Sequence, residues 1–82
     1  MSACGGGITG VTGTGQAKSP NKAFFKAIKH LIFNGQQECA PSTCDLGQCS
    51  FGLTNLTAVS DPVEVGQEVR ITVTGDGSCF CQ

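Results

Sequence analysis

Six cysteines in 82 residues constrain this chain more than any other feature. A domain of this length buries only about 60 to 65% of its unfolded surface, so its hydrophobic stabilisation is marginal. Area-minus-entropy accounting comes out near zero at this size, and such scaffolds rely on staples. The apolar content is thin here: five Phe, one Met, no Trp and no Tyr, against twelve Gly. Each Gly raises the entropy cost of ordering the backbone. A cysteine share of about 7% approaches that of disulfide scaffolds and metal sites. One domain is expected, stabilised by disulfides or by a bound metal.

Spacing leaves both chemistries open. Cys39, Cys44 and Cys49 recur with four residues between successive members, and Cys79 and Cys81 stand two apart. A separation of two puts Cys79 and Cys81 on the same face of a strand. In the favoured arrangement the loop cysteines pair with Cys79 and Cys81, and each closure contributes about 2 to 4 kcal/mol. Six cysteines allow fifteen complete pairings, and spacing does not choose among them. The alternative is a thiolate site for Zn or an Fe-S cluster. Structural zinc sites use close C-x₂₋₄-C pairs, which Cys39-x₄-Cys44 and Cys79-x-Cys81 match loosely. Plant-type ferredoxins use C-x₄-C-x₂-C, and the second gap here is longer. Free or modified thiols are a third possibility. Cys4, ahead of a Gly run, either completes the cluster or bonds a neighbouring chain.

Charged residues make up 13% of the chain, about half the usual share. Such a surface suits a protein covered by neighbours in an assembly. Lys18, Lys22, Lys26 and Lys29 lie in the first 37 residues and carry +4; the six acids that follow, with Arg70 alone opposing them, carry −5. Attraction between the halves within one fold is favoured over head-to-tail attraction between copies. No run reaches the 18 apolar residues that a membrane span needs. The N-terminus lacks the basic and apolar regions of a secretory signal. Disulfides would place the protein outside the cell or in a virion, and a metal site would place it in the cytoplasm.

Residues 1–18 are expected to be a flexible or partner-ordered Gly/Thr arm, and residues 19–82 a single small domain. Three Gly triplets over residues 7–15 are too few for a collagen-type helix, and no G-x-G-x-x-G occurs. Residues 19–34 predict a helix, with Ser19 as N-cap, Pro20 in the first turn and Asn34-Gly35 as the stop. Phe24, Ala27, Ile28, Leu31 and Ile32 share one face, which is expected to dock on the core. Lys22, Lys26 and Lys29 share the opposite face, with His30 at its edge and Phe33 among the lysines. Residues 36–50 are expected to be a Cys-rich loop.

Residues 51–82 read as β. Val69–Thr74 alternates, and Gly66-Gln67 marks a turn. Gly75-Asp76-Gly77 predicts a hairpin turn into a terminal strand Ser78–Cys81. A two-residue turn there pairs Val73 with Phe80, takes Phe80 into the core and turns Cys79 and Cys81 outward. A three-residue turn reverses every side chain. The first is favoured because Phe80 is the larger apolar group.

The expected fold class is therefore α+β: one amphipathic helix on a short antiparallel sheet, Cys-rich, with an extended N-terminal arm. Catalysis is not expected, because the only imidazole, His30, stands on an exposed helix edge and the acids are scattered. Nucleic acid is disfavoured, since the lysine patch lacks arginine and a stacking platform. A membrane surface is disfavoured because the apolar stripe suits a core better. Lys22, Lys26, Lys29 and Phe33 are candidates for contact with a protein partner. The leading functional expectation is a disulfide-stapled structural protein without cofactor, a subunit of a homo- or hetero-oligomeric assembly such as a virion or surface filament. The alternatives are a small Zn or Fe-S module and a precursor peptide modified at its C-terminal Cys segment.

Overall fold

The structure is a computed structural model that describes residues 6–39, 43–44 and 47–81, with backbone alone at 43–44 and 47–48. Its elements are β1 (Gly7–Ala17), α1 (Pro20–Cys39), β2 (Thr43–Cys44), β3 (Gly47–Val59), β4 (Val63–Val65) and β5 (Glu68–Cys81). One helix packs on one face of an antiparallel sheet of order β1-β5-β3-β2, and β4 pairs with β5 beyond the end of β3. The α+β expectation holds. The long axis measures 47 Å, the length of β5 itself, since 14 residues at about 3.3 Å each span about 46 Å.

β3, β4 and β5 form one long hairpin. Its turn is Gly66-Gln67, between the paired residues Val65 and Glu68. Gly66 has φ +63° and Gln67 does not have a positive φ, the pattern of a turn with Gly at its first central position. Ser60, just after β3, is tied to β5: its N–H donates to Thr72 O, and its Oγ accepts from Thr72 N–H.

Gly75-Asp76-Gly77 does not turn. It runs straight through the middle of β5, and its two neighbours bulge around it. Register shifts fall between Leu53 and Asn55 and between Leu56 and Ala58 on β3, and between Ile8 and Val11 on β1. Each leaves one extra residue on the flanking strand. The hydroxyls of the inserted residues Thr54 and Thr57 donate to Asp76 O at 3.1 Å and Thr74 O at 3.3 Å. On the other side Gly10, at φ +70°, donates its N–H to Asp76 Oδ1 at 3.2 Å. The expected hairpin turn is overturned by packing. Gly75 and Gly77 are buried, and the side chains of Leu53, Leu56 and Phe51 fill the space their missing Cβ atoms leave.

With the turn gone, the face of the C-terminal residues changes. Cys79 follows the alternation of Ile71 and Val73 and is fully buried, whereas Phe80 is 41% exposed. The preference for Phe80 as the core residue is therefore corrected: parity within one unbroken strand decides the face.

The segment expected to be a flexible or partner-ordered arm contributes β1, which pairs with the chain's own β5 from Gly7↔Ser78 to Ala17↔Val69. Alternation sends Val11, Gly13, Gly15 and Ala17 inward and leaves Thr12 and Thr14 exposed. The helix lies directly on the inward glycines. A Cβ on Gly13 would meet Leu31 N at 2.2 Å, and one on Gly15 would meet Ala23 O at 2.1 Å. The helix presents a matching stripe at every fourth residue: Ala23, Ala27, Leu31, Gly35 and Cys39 are its buried residues. Small residues on both sides bring the two backbones together.

The N-terminal cap forms as expected, with Ser19 Oγ accepting from Lys22 N–H at 3.2 Å. The helix does not stop at Asn34-Gly35 but continues to Cys39, into the segment expected to be loop. Each residue at the expected stop is used by the tertiary structure. Asn34 Nδ2 donates to Thr12 O at 2.7 Å, Gly35 lies under the Phe51 ring, and the Gln36 amide bonds Cys49 O and Phe51 N–H, both at 2.9 Å. Ile32, expected on the docked face, is exposed.

Candidate functional site

Four of the candidate cysteines converge at one end of the molecule. Cys39 closes the last turn of α1, Cys49 lies near the start of β3, and Cys79 and Cys81 end β5. The ladder sets Cys49 opposite Cys81 and Phe51 opposite Cys79. Cys39 and Cys79 form a disulfide with a Cα–Cα distance of 5.5 Å, well inside the range a relaxed bond needs. Cys49 and Cys81 are also in disulfides, and no cysteine among the described residues is free. The sulfurs of Cys39, Cys49 and Cys79 all lie within 4.8 Å of one another, and all three residues are buried. Of the remaining candidates, Cys44 has its backbone in β2, paired with Gly47, and Cys4 lies outside the described residues.

A second constellation follows the free edge of β1. An edge strand presents unpaired N–H and C=O groups that invite another strand. Here Lys26, His30 and Asn34, spaced four apart on the helix, reach across to those groups. Lys26 Nζ donates to Gln16 O at 3.3 Å, His30 Nδ1 accepts from Thr14 N–H at 3.0 Å, and Asn34 Nδ2 caps Thr12 O. Lys26 thus has a structural partner, and His30, though exposed, holds an edge amide. At the opposite edge of the sheet the Gln36 amide does the same for Cys49 and Phe51. Beyond Phe51, no strand among the described residues pairs with the outer edge of β3.

The other interaction candidates, Lys22, Lys29 and Phe33, are exposed on the helix. Two further exposed apolar residues of the helix were not among the candidates for protein contact: Phe25, which is 62% exposed, and Ile32. These two lie a helical repeat apart on the flank of α1 that adjoins half-buried Ile28. Nor were Val59 and Val63, exposed on β3 and β4. The periodicity did not reveal them, because the true contact stripe is narrower than the apolar face.

No protein-family model, no curated protein and no solved structure matches this chain.

Proposed function

We propose that this protein is a non-enzymatic, disulfide-stapled building block that works by binding protein, in the first place further copies of itself. The observation that supports this most is the placement of its large apolar groups. Phe25, Phe33 and Phe80, three of the five phenylalanines, are exposed, together with Ile32, Val59 and Val63. A chain with so few large apolar residues would be expected to bury them. Large apolar side chains left exposed on the helix and on the sheet suit a protein that is covered by its partners. The open edge of β3 offers unpaired backbone groups close by. Disulfides persist in oxidising surroundings, which suits a particle or filament outside the cell.

Light scattering on the oxidised protein, eluted from a sizing column over a wide concentration range, tests self-association. An oligomer that Phe25→Asp or Phe33→Asp returns to monomer supports the proposal. A wild-type protein that remains monomeric at every concentration refutes it.

A further inference from the structure

We infer that the sulfur cluster of Cys39, Cys49 and Cys79 is a two-state site: disulfide-bonded when oxidised, and a thiolate site for one Zn²⁺ ion when reduced. The inference is independent of self-assembly and rests on the cluster alone. The helix end and two adjacent strands deliver three buried sulfurs to one point, all mutually within 4.8 Å. Four sulfurs around a tetrahedral Zn²⁺, at about 2.3 Å from the metal, stand about 3.8 Å apart. Once the Cys39–Cys79 bond opens, its two sulfurs must part, and the other separations close by about 1 Å or less, to reach that spacing.

Cys81, exposed and outside the three-sulfur group, is the nearest thiol in the ladder and would swing inward to complete the shell. It lies two residues beyond Cys79 on the same strand face and directly across the ladder from Cys49. The chemistry is selective, because an all-thiolate set favours soft or borderline ions over Mg²⁺ or Ca²⁺. Burial adds a reason for the metal: several thiolates so close, in an apolar setting, need a cation to offset their charge.

The conversion balances. A dithiol reductant attacks the Cys39–Cys79 bond and then closes into its own cyclic disulfide. Two electrons and two protons leave Cys39 and Cys79 as thiols. Further equivalents do the same for the disulfides that hold Cys49 and Cys81, each reduced bond yielding two thiols. Zn²⁺ then displaces the thiol protons to solvent, and the metal–sulfur bonds take over the junction between helix and sheet.

The test uses the full chain, reduced without oxygen and titrated with Co²⁺ as a spectroscopic probe and with Zn²⁺ as competitor. One Co²⁺ should bind per chain, with sulfur-to-metal charge-transfer absorption of three or more thiolates, and Zn²⁺ should displace it. Cys39→Ser, Cys49→Ser and Cys79→Ser should each weaken binding at least about tenfold, and His30→Ala should leave it unchanged. A reduced wild-type chain that takes up no Co²⁺, or takes it up with fewer than three thiolates, overturns the inference without recourse to any variant. Native mass spectrometry of the oxidised chain should show no bound ion, and a Zn²⁺ adduct there also counts against a redox-controlled site.

Discussion

The ring of Phe51 stands where a side chain on Gly35 would have to be. A Cβ built on Gly35 comes within 2.6 Å of three atoms of that ring, and one built on Gly77 comes within 2.5 Å of two others. The phenyl group is thus held between a helix glycine and a strand glycine, one turn of helix before the Cys39–Cys79 disulfide. This wedge explains two features together: the helix that runs past Gly35, and the Gly-Asp-Gly segment that stays in the strand.

Gly35→Ala and Phe51→Leu should therefore be coupled. Overpacking at Gly35 is expected to cost about 1 to 3 kcal/mol, and trimming Phe51 a similar amount. The double variant should cost less than the sum, because the smaller side chain makes room for the new methyl. Urea denaturation of the four proteins in the cycle measures this, and strict additivity would show that the two residues do not share one space.

The helix should lift from β1 if the inward glycines gain a methyl. Gly13→Ala and Gly15→Ala meet helix backbone atoms, which cannot rotate aside, so each should lie at the upper end of the roughly 1 to 3 kcal/mol overpacking range. Gly7→Ala meets nothing closer than 3.9 Å and should stay within about 0.5 kcal/mol of wild type. Equal losses at all three positions would contradict the close helix–strand approach.

Opening the Cys39–Cys79 bond should be among the most damaging changes. The bond spans 40 residues, and the chain-entropy relation gives about 4 kcal/mol for a loop of that size. The variant Cys39→Ser/Cys79→Ser should lose most of its thermal stability while keeping its other disulfides, which mass and melting temperature report together. A melting temperature within a few degrees of wild type would mean that the core carries the fold alone.

Removing the helix side chains that cap β1 should act locally. Each exposed bond contributes about 0.5 to 1.5 kcal/mol at most, so His30→Ala and Asn34→Ala should change global stability little. The Thr14 amide should then exchange with solvent faster in His30→Ala, with the Thr72 amide as an unaffected internal reference. Unchanged protection at Thr14 would show that His30 is not its partner in solution.

Local signals in the sequence identified the elements whose causes are themselves local. Ser19-Pro20 starts the helix where expected, the alternation of Val69–Thr74 lies in a strand with one buried face, and Gly66-Gln67 turns. The misreadings share a physical origin. Gly13 and Gly15 read as flexible because a glycine without its neighbour carries only conformational freedom, and against α1 the same residues permit backbone contact. Gly75-Asp76-Gly77 read as a hairpin turn because the bulges that accommodate it belong to β1 and β3. Ile32 read as core because periodicity reports an apolar face and not how much of it the sheet covers.

The sequence by itself determined the class of fold, the helix and its cap, the long β region, and the need for cysteine staples in so short a chain. Spacing alone could not say that Cys39, Cys49 and Cys79 meet, since sulfurs from a helix and two strands are brought together only when β5 runs unbroken and the helix extends to Cys39. Tertiary structure settled that, and with it the Cys39–Cys79 bond. The reason is geometric: in a strand one residue of slip reverses every face, and the parity that buried Cys79 and exposed Phe80 came from glycines packed against Phe51, Leu53 and Leu56.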